Sequence, residues 1–126
     1  MAVDANLVLQ ASVTKTDTFN STGVNLVTGT PSRGLVARII YSAATEASGG
    51  KTVIFSIDHS SDNSTWYPLA SGAKDTITLS TTAQAGEISI PFRTNKAYVR
   101  LTMTLSANTN SPTITYYGDI TQGLPG

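Results

Sequence analysis

Cysteine is missing from all 126 residues, so neither a disulfide framework nor a thiolate metal site can exist. Histidine occurs once, at His59, which leaves no second imidazole for a metal set or a proton relay. Charge is scarce and balanced: four Lys and four Arg face six Asp and two Glu, for a net charge of zero. Phosphate neutralisation needs clustered Lys and Arg, so nucleic acid is not the expected partner. A polybasic membrane anchor is excluded on the same ground. No apolar run approaches the roughly 20 residues that cross a bilayer. The start, Met1-Ala2-Val3-Asp4, has no basic region followed by a long apolar stretch, and the chain is expected to be made and used without export.

What fills the space left by charge is hydroxyl. Thr supplies 20 positions and Ser 14, and Thr favours extended backbone because its branched Cβ is stiff. Helical periodicity is absent while period-two alternation recurs. Leu35, Ala37, Ile39 and Tyr41 alternate with Val36, Arg38 and Ile40. Val53, Phe55 and Ile57 share one face, as do Ile88, Ile90 and Phe92, and Val99, Leu101, Met103 and Leu105. Ile114, Tyr116 and Ile120 form a last apolar face, with Thr115, Tyr117 and Asp119 opposite. Shorter strands are expected at 13–19, 24–27 and 77–79. Turn formers separate these runs: Ser48-Gly49-Gly50, Ser61 to Ser64, Ala85-Gly86 and Asn108 to Pro112 among them. The reading is a single all-β domain over 1–126, a two-sheet sandwich of about eight strands resembling a jelly roll. Residues 1–10 are expected to form an N-terminal arm or a first edge strand, and 122–126 an irregular tail.

Catalytic chemistry is not expected, and no catalytic, cofactor or metal residue is assigned. Asp58, His59 and Ser60 contain the three groups of a nucleophile triad, but neighbours on a strand point to opposite faces and cannot converge on one substrate. Asp58 and Asp62 bracket a polar turn with oxygen ligands for Ca²⁺, yet the spacing matches no EF-hand loop; a hairpin turn stabilised by Asx and Ser side chains explains it. Gly49-Gly50-Lys51-Thr52 resembles the end of a phosphate-binding loop but lacks its upstream glycine and precedes a strand.

The aromatic pairs are more informative. In Trp66-Tyr67 and Tyr116-Tyr117 one ring of each pair faces inward and its neighbour meets solvent or a partner. Trp66 reads first as a core residue, and Tyr117 as a surface one. Exposed aromatic rings on a charge-poor surface are typical interface anchors. With the apolar residues of the first segment they give the candidate protein–protein contacts: Val3, Leu7, Val8, Leu9, Asp62, Trp66, Tyr67 and Tyr117.

The run from Lys51 to Trp66, KTVIFSIDHSSDNSTW, is a hydrophobic strand ending in a Ser-x-Asp-x-Ser-like turn before an aromatic. It is flanked by Asp4-Ala5-Asn6-Leu7-Val8-Leu9, Ser21-Thr22-Gly23-Val24-Asn25-Leu26, Gly34-Leu35-Val36-Ala37-Arg38-Ile39 and Tyr98-Val99-Arg100-Leu101. This order, over nearly the whole chain, resembles the small capsid cement (decoration) proteins of tailed bacteriophages that have a jelly-roll fold. The resemblance implies a virion protein on the outer face of an icosahedral head, made in the host cytoplasm and bridging major capsid protein subunits. It also implies a homo-oligomer, a dimer before a trimer, with no cofactor and no catalytic residues. The alternative is a tail or baseplate module binding a receptor or carbohydrate, with Trp66, Tyr67 and Tyr117 as a stacking platform. A further rival is a Ca²⁺-dependent adhesion domain using Asp58 and Asp62.

Overall fold

The computed structural model describes residues 7–25, 35–69, 74–94, 96–106 and 111–122. Within them ten extended segments follow one another: β1 (Leu7–Lys15), β2 (Phe19–Asn20), β3 (Val24–Asn25), β4 (Leu35–Thr45), β5 (Thr52–Ser60), β6 (Tyr67–Pro68), β7 (Lys74–Thr78), β8 (Gln84–Phe92), β9 (Tyr98–Leu105) and β10 (Thr113–Gln122). The described residues contain no helix.

Two antiparallel sheets result. One has the order β1-β10-β4-β8; the other is built on β2-β9-β5-β6, with β3 also on β9 and β7 also on β5. β2 and β3 lie along the same strand, and Ser21 explains the break between them. Its N–H donates to the Leu101 carbonyl at 2.8 Å, and its Oγ accepts the Leu101 N–H at 2.8 Å, so a side chain replaces one rung of the ladder. β6 and β7 likewise share β5, pairing Asp58 with Pro68 and Ser56 with Lys74, and the Leu69 N–H bridges to the Ile57 carbonyl at 3.2 Å. Counting each interrupted strand once gives eight positions, ordered first-eighth-third-sixth in one sheet and second-seventh-fourth-fifth in the other. That is the strand order of a jelly roll, two Greek keys folded into a sandwich.

The core lies between the sheets and matches the alternation. Ile39, Phe55, Ile57, Ile90, Val99, Leu101 and Ile114 are all buried, whereas Leu35 packs against the core only half-buried. Phe55 from one sheet meets Tyr116 from the other edge to face, with ring centroids 5.2 Å apart. The register breaks on both sides of Ser42 and Ala43, between Tyr41 and Ala44 against β8 and between Thr113 and Thr115 against β10. Ala43 has a left-handed φ of 52°, as the extra residue of a bulge often does.

Residues 7–10 take the edge-strand reading, and the assignment of Leu9 as a partner contact is overturned. Leu7 to Gln10 belong to β1, an edge strand paired with β10, and Leu9 is buried in the chain's own core. Leu9 therefore cannot anchor a partner, because the alternation that exposes Val8 turns Leu9 inward. The arm reading fails for residues 7–10. Val3 and the rest of 1–6 lie outside the described residues, as do 123–126 of the expected tail, whereas Gln122 ends β10.

Candidate functional site

Two outward-facing surfaces, one on each sheet, carry the sequence-selected residues. On β10, Tyr116 points into the core, so Tyr117 and Asp119 point out. Asp119 lies opposite Val8 on β1 and Arg38 on β4, and Tyr117 lies opposite Ile40. Arg38 clasps the Asp119 carboxylate with two N–H groups, Nε to Oδ1 at 3.3 Å and Nη2 to Oδ2 at 2.9 Å. The Tyr117 hydroxyl donates to the same Oδ2 at 3.2 Å. The carboxylate is only 1% exposed although its strand position faces outward. The Arg38–Asp119 hydrogen bond and the Asp119 charge raise the pKa of Arg38, while burial and then the Asp119 charge raise that of Tyr117. Around this network Val8 and Ile40 are 48% and 42% exposed, and Tyr117 is half-buried. The surface is thus an apolar and aromatic rim around a neutralised ion pair.

The second surface belongs to the β9-β5 sheet. Asp58 faces Arg100 and neighbours Thr102; its Oδ2 accepts the Arg100 Nε–H at 3.1 Å and the Thr102 hydroxyl at 2.8 Å. The Arg100 guanidinium lies 4.7 Å from the centre of the Trp66 ring. Trp66 is therefore neither a core residue nor a free platform; it is half-buried beneath a cation on the outer side of the sandwich. Its far edge rests on Gly23, where an added Cβ would approach the ring to 2.8 Å and overlap the Asn63 side chain. Tyr67, next along, is 56% exposed but pairs with His59, so it projects from the opposite side of this sheet at its edge.

The turn that delivers Trp66 is locally self-sufficient. Buried Ser60 accepts the N–H groups of Asp62 (3.2 Å) and Asn63 (2.9 Å) on its Oγ and donates to Asp62 Oδ1 at 2.9 Å. Asp62 Oδ1 in turn accepts the N–H groups of Ser64 and Thr65, both at 2.9 Å. The Thr65 N–H, the Ser60 hydroxyl and the Ser64 N–H, in that order, hold the Asp62 carboxyl below its ordinary range. Asn63 takes a left-handed φ of 61°, a conformation Asn tolerates in turns. Asp62 is thereby committed to the turn. Among the described residues no three His, Cys, Asp or Glu side chains come together as a metal set.

His59 points away from Asp58, as expected for adjacent strand residues. Its Nδ1 lies 2.7 Å from the Thr94 hydroxyl, beyond the end of β8, and so ties the two sheets together at one end of the sandwich. Ser60 Oγ is occupied by its turn, so the three triad groups do not converge. Lys51, from the phosphate-loop-like run, sits 3.7 Å from buried Glu46, which also accepts from the Ser48 hydroxyl at 3.1 Å. Burial pushes the Glu46 carboxyl up, but its hydrogen bonds and the Lys51 charge win and bring it below its ordinary value.

Sequence reasoning missed Arg38, Asp119, Glu46 and Arg100 as organising groups. For Arg38, Asp119 and Arg100 the signal available was position, a charged residue at an alternating site of an otherwise apolar or Thr-rich strand; Glu46 follows the end of β4 and carried no such signal. The candidates it did select fall into two groups. Val8 and Tyr117 share the β10 surface, whereas Asp62, Trp66 and Tyr67 belong to the opposite sheet. The three-ring platform of Trp66, Tyr67 and Tyr117 is therefore not formed. The Leu7 side chain lies outside the described residues. No protein-family model matches the chain, and no curated protein matches it either.

Proposed function

We propose that this protein is a non-catalytic structural component of a tailed-phage particle that cements major capsid protein subunits on the outer face of the head. The observation that supports this reading best is the separation of its exposed apolar and aromatic groups onto two opposite sheets. A clamp across a junction must touch two neighbours at once, and two independent faces serve that task. The jelly-roll order agrees with what the sequence resemblance implies. A cement protein acts by mass action: whatever binds the assembled shell and not its separated subunits stabilises the shell.

Faces rather than edges are the contact surfaces in this reading. β1 at one edge of its sheet has two register irregularities, and β8 at the other carries Pro91, which has no N–H, and outward Glu87. Such features discourage strand addition. A charge-poor, hydroxyl-rich surface also lets many copies crowd without accumulating repulsion.

The test is co-sedimentation of the purified protein with expanded heads that lack it. The wild type is expected to pellet with the heads at saturable stoichiometry. Ile40→Asp and Val8→Asp, on the exposed rim, should abolish pelleting while leaving the circular dichroism spectrum unchanged. Wild-type protein that stays in the supernatant at every concentration contradicts the reading. The tail-module alternative is retained only in reduced form, with Trp66 as its single outward ring on that face.

A further inference from the structure

The Arg100 guanidinium is held at its Nε and over one face and is open at its outer edge. Its Nε is fixed by Asp58, its flat face is covered by Trp66, and Thr102 holds Asp58 in place from the same side. Among the described residues neither terminal nitrogen, Nη1 nor Nη2, has a hydrogen-bond partner, and the side chain is 21% exposed. A guanidinium offers five N–H donors in a rigid fork. With Nε used, four remain at the outer edge, already oriented, so little side-chain entropy is lost when they are engaged.

The surroundings decide what they engage. On the outer face of this sheet the register sets Lys74 opposite Ser56, beside Asp58 and Arg100. Arg100 and Lys74 are balanced there by Asp58 and by the ionised Asp62 of the adjoining turn, so the geometry of the free donors, and not a net charge, selects the ligand. The neighbouring Asp62 carboxylate is turned into its own turn, with three donors on Oδ1. The planar fork of paired N–H groups on the guanidinium is complementary to a planar, bidentate, singly charged acceptor.

We propose that Arg100, clamped between Asp58 and Trp66, is a carboxylate-binding site that takes the acidic side chain of a protein partner. Trp66 covers one face of the guanidinium and shields it from water, the arrangement in which an interfacial Arg contributes most. The inference does not depend on the partner being a phage shell, because the site is complete in the free chain.

Trp66 is the chain's one tryptophan, so its fluorescence reports the site directly. The full-length protein is titrated with N-acetyl-aspartate amide, with the neutral N-acetyl-asparagine amide, with glucuronate, and with sodium chloride at matched ionic strength. The expected result is a saturable change with the aspartate probe and none with the asparagine probe or chloride. Arg100→Lys keeps the charge but loses the fork, and should weaken binding about tenfold or more, the equivalent of losing one charge-assisted bond. Arg100→Gln should abolish it, with the near-ultraviolet circular dichroism confirming that Trp66 keeps its packing. Equal responses to chloride and aspartate, or an Arg100→Lys protein that binds as well as the wild type, would overturn the proposal. Saturation by glucuronate without saturation by aspartate would overturn the protein partner in favour of an acidic sugar.

Discussion

Gly118 on β10 and Leu101 on β9 meet across the sandwich so closely that a Cβ on Gly118 would lie 2.9 Å from Leu101 Cδ2. Position 118 faces inward between Tyr116 and Ile120, and its missing side chain is the space that Leu101 fills. The two sheets are thus locked by a small residue opposite a large one. Gly118→Ala is expected to destabilise the fold by about 1 to 3 kcal/mol, as overpacking does. Leu101→Ala should cost about 2 to 5 kcal/mol through the cavity it leaves. Because the added methyl enters that cavity, the double variant should lose less than the sum by roughly 0.5 kcal/mol or more. Urea unfolding of the four proteins measures this, and strict additivity would show that the two residues do not share the space.

Tyr116 carries the reverse lesson. Its ring is nearly fully buried, yet its hydroxyl is the one buried side-chain polar atom among the described residues without a hydrogen-bond partner. Burial pushes the phenol up to about 12. Tyr116→Phe removes an unsatisfied polar atom and keeps the edge-to-face contact with Phe55. It should leave stability unchanged or raise it by up to about 1 kcal/mol. Thermal unfolding checks this; a loss above about 1 kcal/mol would mean the hydroxyl has a partner, such as an internal water.

The ion pair on the other face is asymmetric, and its two halves should not respond alike. Removing Asp119 leaves Arg38, whose side chain is 38% exposed, free to hydrate. Removing Arg38 leaves a buried carboxylate with its main counter-charge gone. Arg38→Ala is therefore expected to destabilise more than Asp119→Ala, by chemical denaturation at neutral pH. The opposite order would show that the pair is not the centre of that surface.

Much of this was legible in the chain and some was not, for a physical reason. Alternation identifies side chains relative to their own strand, so Ile39, Phe55 and Leu101 could be placed inside without knowing their neighbours. It carries no information about which strand lies alongside. Asp119 reads as a solvated residue until β4 brings Arg38 against it, and Trp66 as a core residue until β9 sets Arg100 over it. Leu9 was ambiguous because Leu7-Val8-Leu9 is apolar at every position, and only its pairing with β10 separates the inward side chain from the outward one. The Asp62 turn was legible because its bonds are local.

His59 should give the fold a pH dependence. Burial, then the charge of Lys96, lower its pKa below the usual 6.5, with the Asp58 charge opposing them. Thr94 Oγ already accepts the Lys96 N–H at 3.1 Å, and its hydroxyl hydrogen is then available for the unprotonated His59 Nδ1. A group with a depressed folded-state pKa binds its proton more readily when unfolded. The stability contribution of neutral His59 is therefore complete above about pH 6.5 and is lost as the pH falls through the folded-state value. His59→Gln should show a flatter stability profile between about pH 7 and 5. An identical slope in both proteins would show that the imidazole titrates alike in the folded and unfolded chains.

The most direct test of the proposed cementing role is cryo-electron microscopy of the particle in whose production the protein is made. The expected result is a jelly-roll density on the outer surface of the head, spanning a junction between shell subunits. The Val8–Ile40–Tyr117 face should meet one neighbour and the Trp66–Arg100 face another. Density for this sandwich at the tail or baseplate, or contact through a single sheet only, would contradict the account.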